Sequence, residues 1–180
     1  MILRPALPAD AEMLATLGRD SFVATFGHLY SAEDLGLFLD THKTPAAYSR
    51  YIADPGVRIA LAESNGRPAG FCILVERSEF VEHSDAETPV ALSQLYCAPG
   101  RSGEGIGAAL MDWAISEAQA LGADAIQLSV WSGNAGAQRF YGRYGFEKIA
   151  DIHFMVGNHR DDEYLLEKRL PARVAGAVKC

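Results

Sequence analysis

Hydrophobic and polar positions along this chain follow two periods, helical first and strand-like afterwards. The opening Ile2-Leu3-Arg4 reads as a short strand. Asp10 then stands where a helix cap belongs, and Met13, Leu14, Leu17, Phe22 and Phe26 recur at helical spacing. Ser31 begins a second helix, with Glu33 and Asp34 in its dipole-favoured first turn and Leu35, Phe38 and Leu39 as its apolar face. A third, shorter helix runs from Pro45 to Ile52 and stops before Asp54-Pro55-Gly56, a turn sequence.

From Val57 the period shortens to two. Val57 to Glu63 and Ala69 to Val75 read as strands joined at Asn65-Gly66, a strong hairpin signal. Residues 76–89 are polar and acidic and read as a loop; Val90 to Cys97 is a further strand, ended by Pro99-Gly100. Helical spacing returns from Gly105, with Ile106, Leu110, Trp113, Ala114 and Leu121 on one face and Gly122 as the C-terminal cap. Ala125 to Trp131 is a strand, and Asn134 to Tyr144 a helix capped by Asn134 and stopped near Gly145. Phe146 to Met155 and Glu163 to Leu170 are two last strands, paired across Gly157-Asn158. The pattern predicts an α/β (α+β) fold: a central, mixed but mostly antiparallel sheet of about seven strands with helices on both faces. No linker or repeat divides the chain, so one domain is expected over 1–170, followed by a tail over 171–180.

Composition narrows the class. With 180 residues, 49% of them hydrophobic, the chain is long enough to bury a core. Sixteen basic against 23 acidic residues give a net charge of -7, with no Lys/Arg stripe for nucleic acid and a surface that tolerates a cationic substrate. The three cysteines, Cys72, Cys97 and Cys180, show neither disulfide nor zinc spacing, and the five histidines show no metal spacing. The first residues lack a signal-peptide pattern, and the longest apolar run, Phe71 to Val75, is too short to cross a bilayer. A cytoplasmic protein with no metal and no membrane partner is the expectation.

Candidate chemistry begins at Gly103-Glu104-Gly105-Ile106-Gly107, between a strand and a helix. Glycines allow close backbone approach, and helix-start N–H groups attract phosphate, so a diphosphate is the natural guest; a flexible turn is the plainer alternative. The absence of Lys-Ser or Lys-Thr after the glycines excludes a P-loop. A dinucleotide fingerprint is disfavoured, because several hairpin-joined strands precede the loop and no acid ends the following strand.

Downstream stand Asn134, Ala137, Phe140, Tyr141, Gly145 and Phe146, and upstream Leu95-Tyr96-Cys97-Ala98-Pro99. Taken together with the glycines, these residues resemble the GNAT superfamily of N-acetyltransferases, over about residues 57–170. The resemblance implies direct acetyl transfer from acetyl-CoA to an amine. Backbone groups of Leu95, Tyr96 and Cys97, on a strand splayed through a bulge, would hold the pantetheine arm, and one N–H would polarise the thioester. N–H groups from Gly103, Glu104, Gly105, Ile106, Gly107 and Ala108 would cradle the pyrophosphate. Asn134 would bond the pantetheine, besides or instead of capping its helix. Tyr141 would protonate the departing sulfur rather than serve as one more core aromatic. The family pattern puts Arg or Gln where this chain has Ser102, with Arg101 one step early.

The general base is not legible; Glu79, Glu82, His83 and His153 are candidates, beside a water relay. Ser21 to Phe26, Tyr30, Glu33-Asp34-Leu35, Phe38-Leu39, Phe154 to Gly157 and Tyr164 to Lys168 further resemble the spermine/spermidine-type branch, which implies a small polyamine acceptor. A protein N-terminus, an amino acid, an antibiotic, or a non-catalytic acyl-CoA sensor are the alternatives. A homodimer is left open.

Overall fold

A computed structural model describes residues 1–171; residues 172–180, which make up the expected tail beyond Pro171, lie outside the described residues. Seven strands form one sheet: β1 (Ile2–Pro5), β2 (Val57–Ser64), β3 (Arg67–Val75), β4 (Pro89–Cys97), β5 (Ala125–Trp131), β6 (Glu147–Val156) and β7 (His159–Arg169). Their order is β1-β2-β3-β4-β5-β7-β6, antiparallel throughout except between β4 and β5. The α-helices are α1 (Ala11–Phe26), α2 (Ala32–His42), α3 (Pro45–Ala53), α4 (Ile106–Ala120) and α5 (Ala135–Arg143).

The period of two divides the strands between two cores. Ile59 and Leu61 of β2, with Phe71 and Ile73 of β3, pack on Leu14 and Leu17 of α1 and Tyr48 of α3. Their neighbours Ala60, Ala62, Cys72 and Leu74 face the other way, onto Ile106, Leu110, Met111 and Ala114 of α4. A strand buried on both faces must be apolar at nearly every position, which accounts for the run Phe71 to Leu74.

Two irregularities create the opening in the sheet. Strand β4 pairs with β5 only through Pro89, Val90 and Ala91, opposite Ala125, Ile126 and Gln127. Against β3, Gln94 lies opposite Ile73 and Leu92 opposite Leu74, so Ser93 is an extra residue. Such a bulge increases the local twist. Beyond Ala91 the strand stays on β3 and leaves β5, so the outer edge of Leu92–Cys97 has no strand beside it among the described residues.

Strand β7 begins at His159, four residues before the expected Glu163. The charged stretch His159-Arg160-Asp161-Asp162 gave no apolar alternation to read. It holds as a strand because its charges are met: Asp162 lies 3.2 Å from His153 on β6, and buried Asp161 accepts from the Tyr30 hydroxyl. The hairpin tip leans on α2, where Asn158 N–H donates to Asp34 Oδ1 at 2.7 Å. Gly157 has φ 59°, and a Cβ there would lie 2.5 Å from Asp34 Cα, so the approach requires glycine. The acidic loop after β3 is fastened as well: Ser78 donates to fully buried Gln127 at 2.5 Å, and Asp124 accepts from the Glu87 and Thr88 N–H groups.

Candidate active site

A cavity of about 640 Å³ fills the gap between the diverging β4 and β5 and reaches both faces of the sheet. Leu92 to Cys97 form one wall, and Ser129, Val130 and Trp131 the opposite one. Asn134 and Tyr141 of α5 approach from the α4/α5 side. Phe22 and Phe26 of α1, Phe38 of α2, Lys43, and Glu163 of β7 approach from the other. Two reactants entering from opposite faces would meet at the gap, and that is the geometry a group transfer needs.

Of the sequence-predicted residues, Leu95, Tyr96, Cys97, Ser102, Asn134 and Tyr141 line this cavity. The outer edge of β4 is open, although the Cys97 carbonyl accepts from Ser21 Oγ at 3.1 Å. Asn134 Oδ1 accepts from the Ala137 N–H at 3.0 Å, so it does cap α5. The cap occupies the oxygen and leaves the side-chain NH₂ group, at the cavity lining, free to donate to a ligand acceptor. Tyr141 is half-buried, with its ring against Phe140 and Phe146. Burial holds its phenol above the ordinary value, and nearby Cys97 and Cys72 add to this, so the O–H stays protonated and able to donate.

The glycine loop leads from β4 into α4. Gly103 and Gly105 have φ of 87° and 79°, and a Cβ at either would meet nothing within 4 Å, so their backbone faces open space. Gly105 is the N-cap of α4 and supplies no side-chain cap. Of the first N–H groups of the helix, those of Ile106 and Ala108 therefore remain available to an anion. The Ile106 side chain is buried, so only its backbone can serve. The Gly107 N–H leans on the Cys97 sulfur. Arg101 is committed elsewhere: its guanidinium bonds Glu104 at 2.6–3.2 Å. That pairing holds the Glu104 carboxyl below its ordinary value and keeps Arg101 from standing in alone for the missing Arg or Gln at Ser102.

Two residues that sequence reasoning missed stand on the acceptor side. Glu163 has one carboxylate oxygen, Oε2, buried without a hydrogen-bond partner among the described residues. Burial raises its pKa, the Ser129 hydroxyl opposes the shift, and the Asp161 carboxylate adds to it. Lys43 is 5% exposed, and burial lowers its ammonium to about 7. Its Nζ donates to Gln94 Oε1 at 2.9 Å and Tyr96 Oη at 3.4 Å. Among the base candidates read from sequence, Glu79 lies at the cavity wall, whereas Glu82 lies 3.8 Å from His83 and His153 pairs with Asp162. Asp34, one of the acids compatible with a polyamine, is occupied by Ser31 and the Asn158 N–H.

No group of three or more potential metal-ligating side chains occurs among the described residues, and no helix among them is long and apolar enough to cross a membrane. Residues 19–146 match the acetyltransferase (GNAT) family. An uncharacterised N-acetyltransferase of Mycobacterium tuberculosis is 30% identical over 161 residues, covering 89% of this chain and 98% of its own. Among solved structures, the PaiA N-acetyltransferase of Thermoplasma acidophilum, in complex with coenzyme A, superposes with a TM-score of 0.77. It is 20% identical and covers 94% of this chain and 98% of its own. A Salmonella typhimurium acetyltransferase with its cofactor acetyl-CoA superposes with a TM-score of 0.69 at 21% identity, over 99% of each chain. The open, mixed seven-stranded sheet and these matches agree: the chain belongs to the GNAT family of acyl-CoA-dependent acetyltransferases.

Proposed function

We propose that residues 1–170 form one N-acetyltransferase domain that passes acetyl from acetyl-CoA directly to the primary amine of a small molecule. The observation that carries this is the gap between β4 and β5, with a half-buried phenol on one side and an unpartnered carboxylate oxygen on the other. The N–H groups from Gly103 to Ala108 hold the diphosphate, with Arg101, Ser102 and Glu104 at the rim of the loop. The open edge of Leu95–Cys97 and the Asn134 NH₂ hold the pantetheine, and one β4 N–H polarises the thioester carbonyl.

Glu163 takes a proton from the incoming ammonium, which frees the nitrogen lone pair to attack the carbonyl carbon. The C–N bond forms and the C–S bond breaks. Tyr141 donates its phenolic proton to the leaving sulfur, and the second proton released by the acylated nitrogen restores the phenol, giving an amide and a free thiol. Cys97 carries no acyl group in this scheme: burial raises its thiol pKa, the opposite of what a nucleophilic cysteine needs. The thiols of Cys72 and Cys97 are unlinked, as a reducing compartment such as the cytoplasm would keep them. The polyamine implied by the sequence resemblance is one member of the small-amine class.

The test is thiol release from acetyl-CoA across a panel of small amines, with calorimetric binding of acetyl-CoA alongside. We expect turnover with at least one amine. Tyr141→Phe should lower kcat by roughly 10²-fold or more, within the range of a lost general acid, with acetyl-CoA affinity nearly unchanged. Tight binding of acetyl-CoA with no thiol released in the presence of any amine would identify a sensor instead.

A further inference from the structure

We propose that Lys43 binds a carboxylate and that the acceptor is a small aminocarboxylate, its amine toward Glu163 and its carboxylate toward Lys43. This rests on the transferase reading above and narrows its acceptor.

Lys43 is nearly sealed from solvent, yet no acidic side chain lies within ion-pair distance among the described residues. Both of its hydrogen-bond partners, Gln94 and Tyr96, are neutral. An ammonium has three N–H donors, so one is left over. The rings of Phe22, Phe38 and Tyr96 stand 5.9, 5.9 and 4.8 Å from Nζ, so the chain's own cation already occupies the aromatic box of the cavity. Burying an ammonium among neutral groups is costly, and the depressed pKa of Lys43 reflects that cost.

A carboxylate placed here would supply the missing counter-charge and accept the spare N–H. A polyamine would bring a second positive charge toward the first. The other end of the acceptor has a matching feature in the unpartnered Glu163 oxygen. Tyr96 is coupled to both: its hydroxyl is 3.4 Å from Lys43 Nζ, and its phenol, raised chiefly by burial, also feels the Tyr141 phenol and the Glu163 carboxylate. Phe26, Trp131 and Phe154 complete the wall, which suits an apolar or aromatic side chain on the acceptor.

Matched pairs decide it: an α-amino acid against the amine that remains when its carboxylate is removed, such as phenylalanine against phenethylamine and leucine against isopentylamine. Thiol release is followed for the wild type, Lys43→Met and Lys43→Arg, with spermidine as a polycationic comparison and a thermal melt of each variant to show that it is folded. For the wild type we expect kcat/KM for the amino acid to exceed that for its amine by about tenfold or more, the worth of one charge-assisted hydrogen bond. In Lys43→Met that ratio should collapse toward one, chiefly through KM for the amino acid, and Lys43→Arg should restore part of it. A wild type that favours the bare amine or spermidine would overturn the proposal, and so would a ratio unchanged in Lys43→Met. Thiol release with no amine of any kind would instead remove the transferase reading beneath it.

Discussion

At the residue scale, the site turns on two polar groups that the chain leaves unserved. Buried oxygen atoms nearly always find a hydrogen-bond partner, because leaving one unmade forfeits its hydration. Oε2 of Glu163 is the one buried side-chain atom without a partner among the described residues, and nothing in the fold requires it. Desolvation and the Asp161 charge raise the Glu163 pKa, moving the carboxyl toward the range where a base acts near neutrality. A base works only when ionised, so kcat/KM should fall as pH drops through that raised pKa. Glu163→Gln keeps the shape but cannot accept the proton. We expect it to lower kcat by roughly 10²-fold or more and to flatten the acidic limb of the pH-rate profile. A variant that keeps the wild-type acidic limb would assign the proton to another group, with Glu79 next in line at the cavity wall.

At the scale of elements, the β4–α4 junction separates what a helix start supplies from what side chains add. Because Arg101 is held by Glu104 and Ser102 replaces the family's Arg or Gln, diphosphate binding here depends on backbone N–H groups and the helix dipole. Gly105→Asp tests that dependence cleanly. At φ 79° aspartate is strained, though less than most residues, so the helix should survive at a modest cost in stability. Its carboxylate, however, would face the phosphates. We expect the Kd for coenzyme A to rise by about tenfold or more, with a melting temperature lowered by only a few degrees through a left-handed cost of about 1–2 kcal/mol; an unchanged Kd would make the loop purely structural.

The same junction shows what the sequence disclosed and why. Strands β2, β3 and β4 and helices α1, α4 and α5 were legible because each carries an apolar period and a local stop signal. The glycine loop and the block from Asn134 to Phe146 were legible as motifs. Lys43 was not: after His42 at the end of α2 it reads as an ordinary cation near a helix C-terminus, and only the packing of α1 and α2 beside Tyr96 buries it. Glu163 was hidden by the late start assigned to β7. Once the strand begins at His159, alternation puts Asp161 and Glu163 on one face, toward Tyr30 and the cavity. The Arg101–Glu104 pair depends on loop geometry that spacing alone does not fix.

At the scale of the whole molecule, placing a cation in the cavity should weaken the fold that holds it. The groups around the Lys43 ammonium are the His42 imidazole, the Tyr96 phenol, the rings of Phe22 and Phe38, and the Gln94 amide that Tyr48 also bonds, with no acid paired to it among the described residues. Unfolded, lysine holds its proton up to its ordinary value of 10.5; folded, Lys43 gives it up at about 7. Between those values the unfolded chain binds more protons than the folded one, so this residue makes stability rise with pH across that window. Below about pH 7 both states are charged and the folded state carries the full desolvation cost, on the order of a few kcal/mol. Methionine fills nearly the same volume without a charge. Lys43→Met should therefore melt higher than wild type by roughly 4 °C or more at pH 6, at about 2–4 °C per kcal/mol for a chain of this size. The advantage should shrink steadily toward pH 10, even as selectivity for a carboxylate-bearing acceptor is lost. Equal melting temperatures at pH 6, or a difference that does not change with pH, would mean that Lys43 is charged at no cost to the fold. A stabilising substitution that removes selectivity would instead mark Lys43 as a residue kept for its ligand.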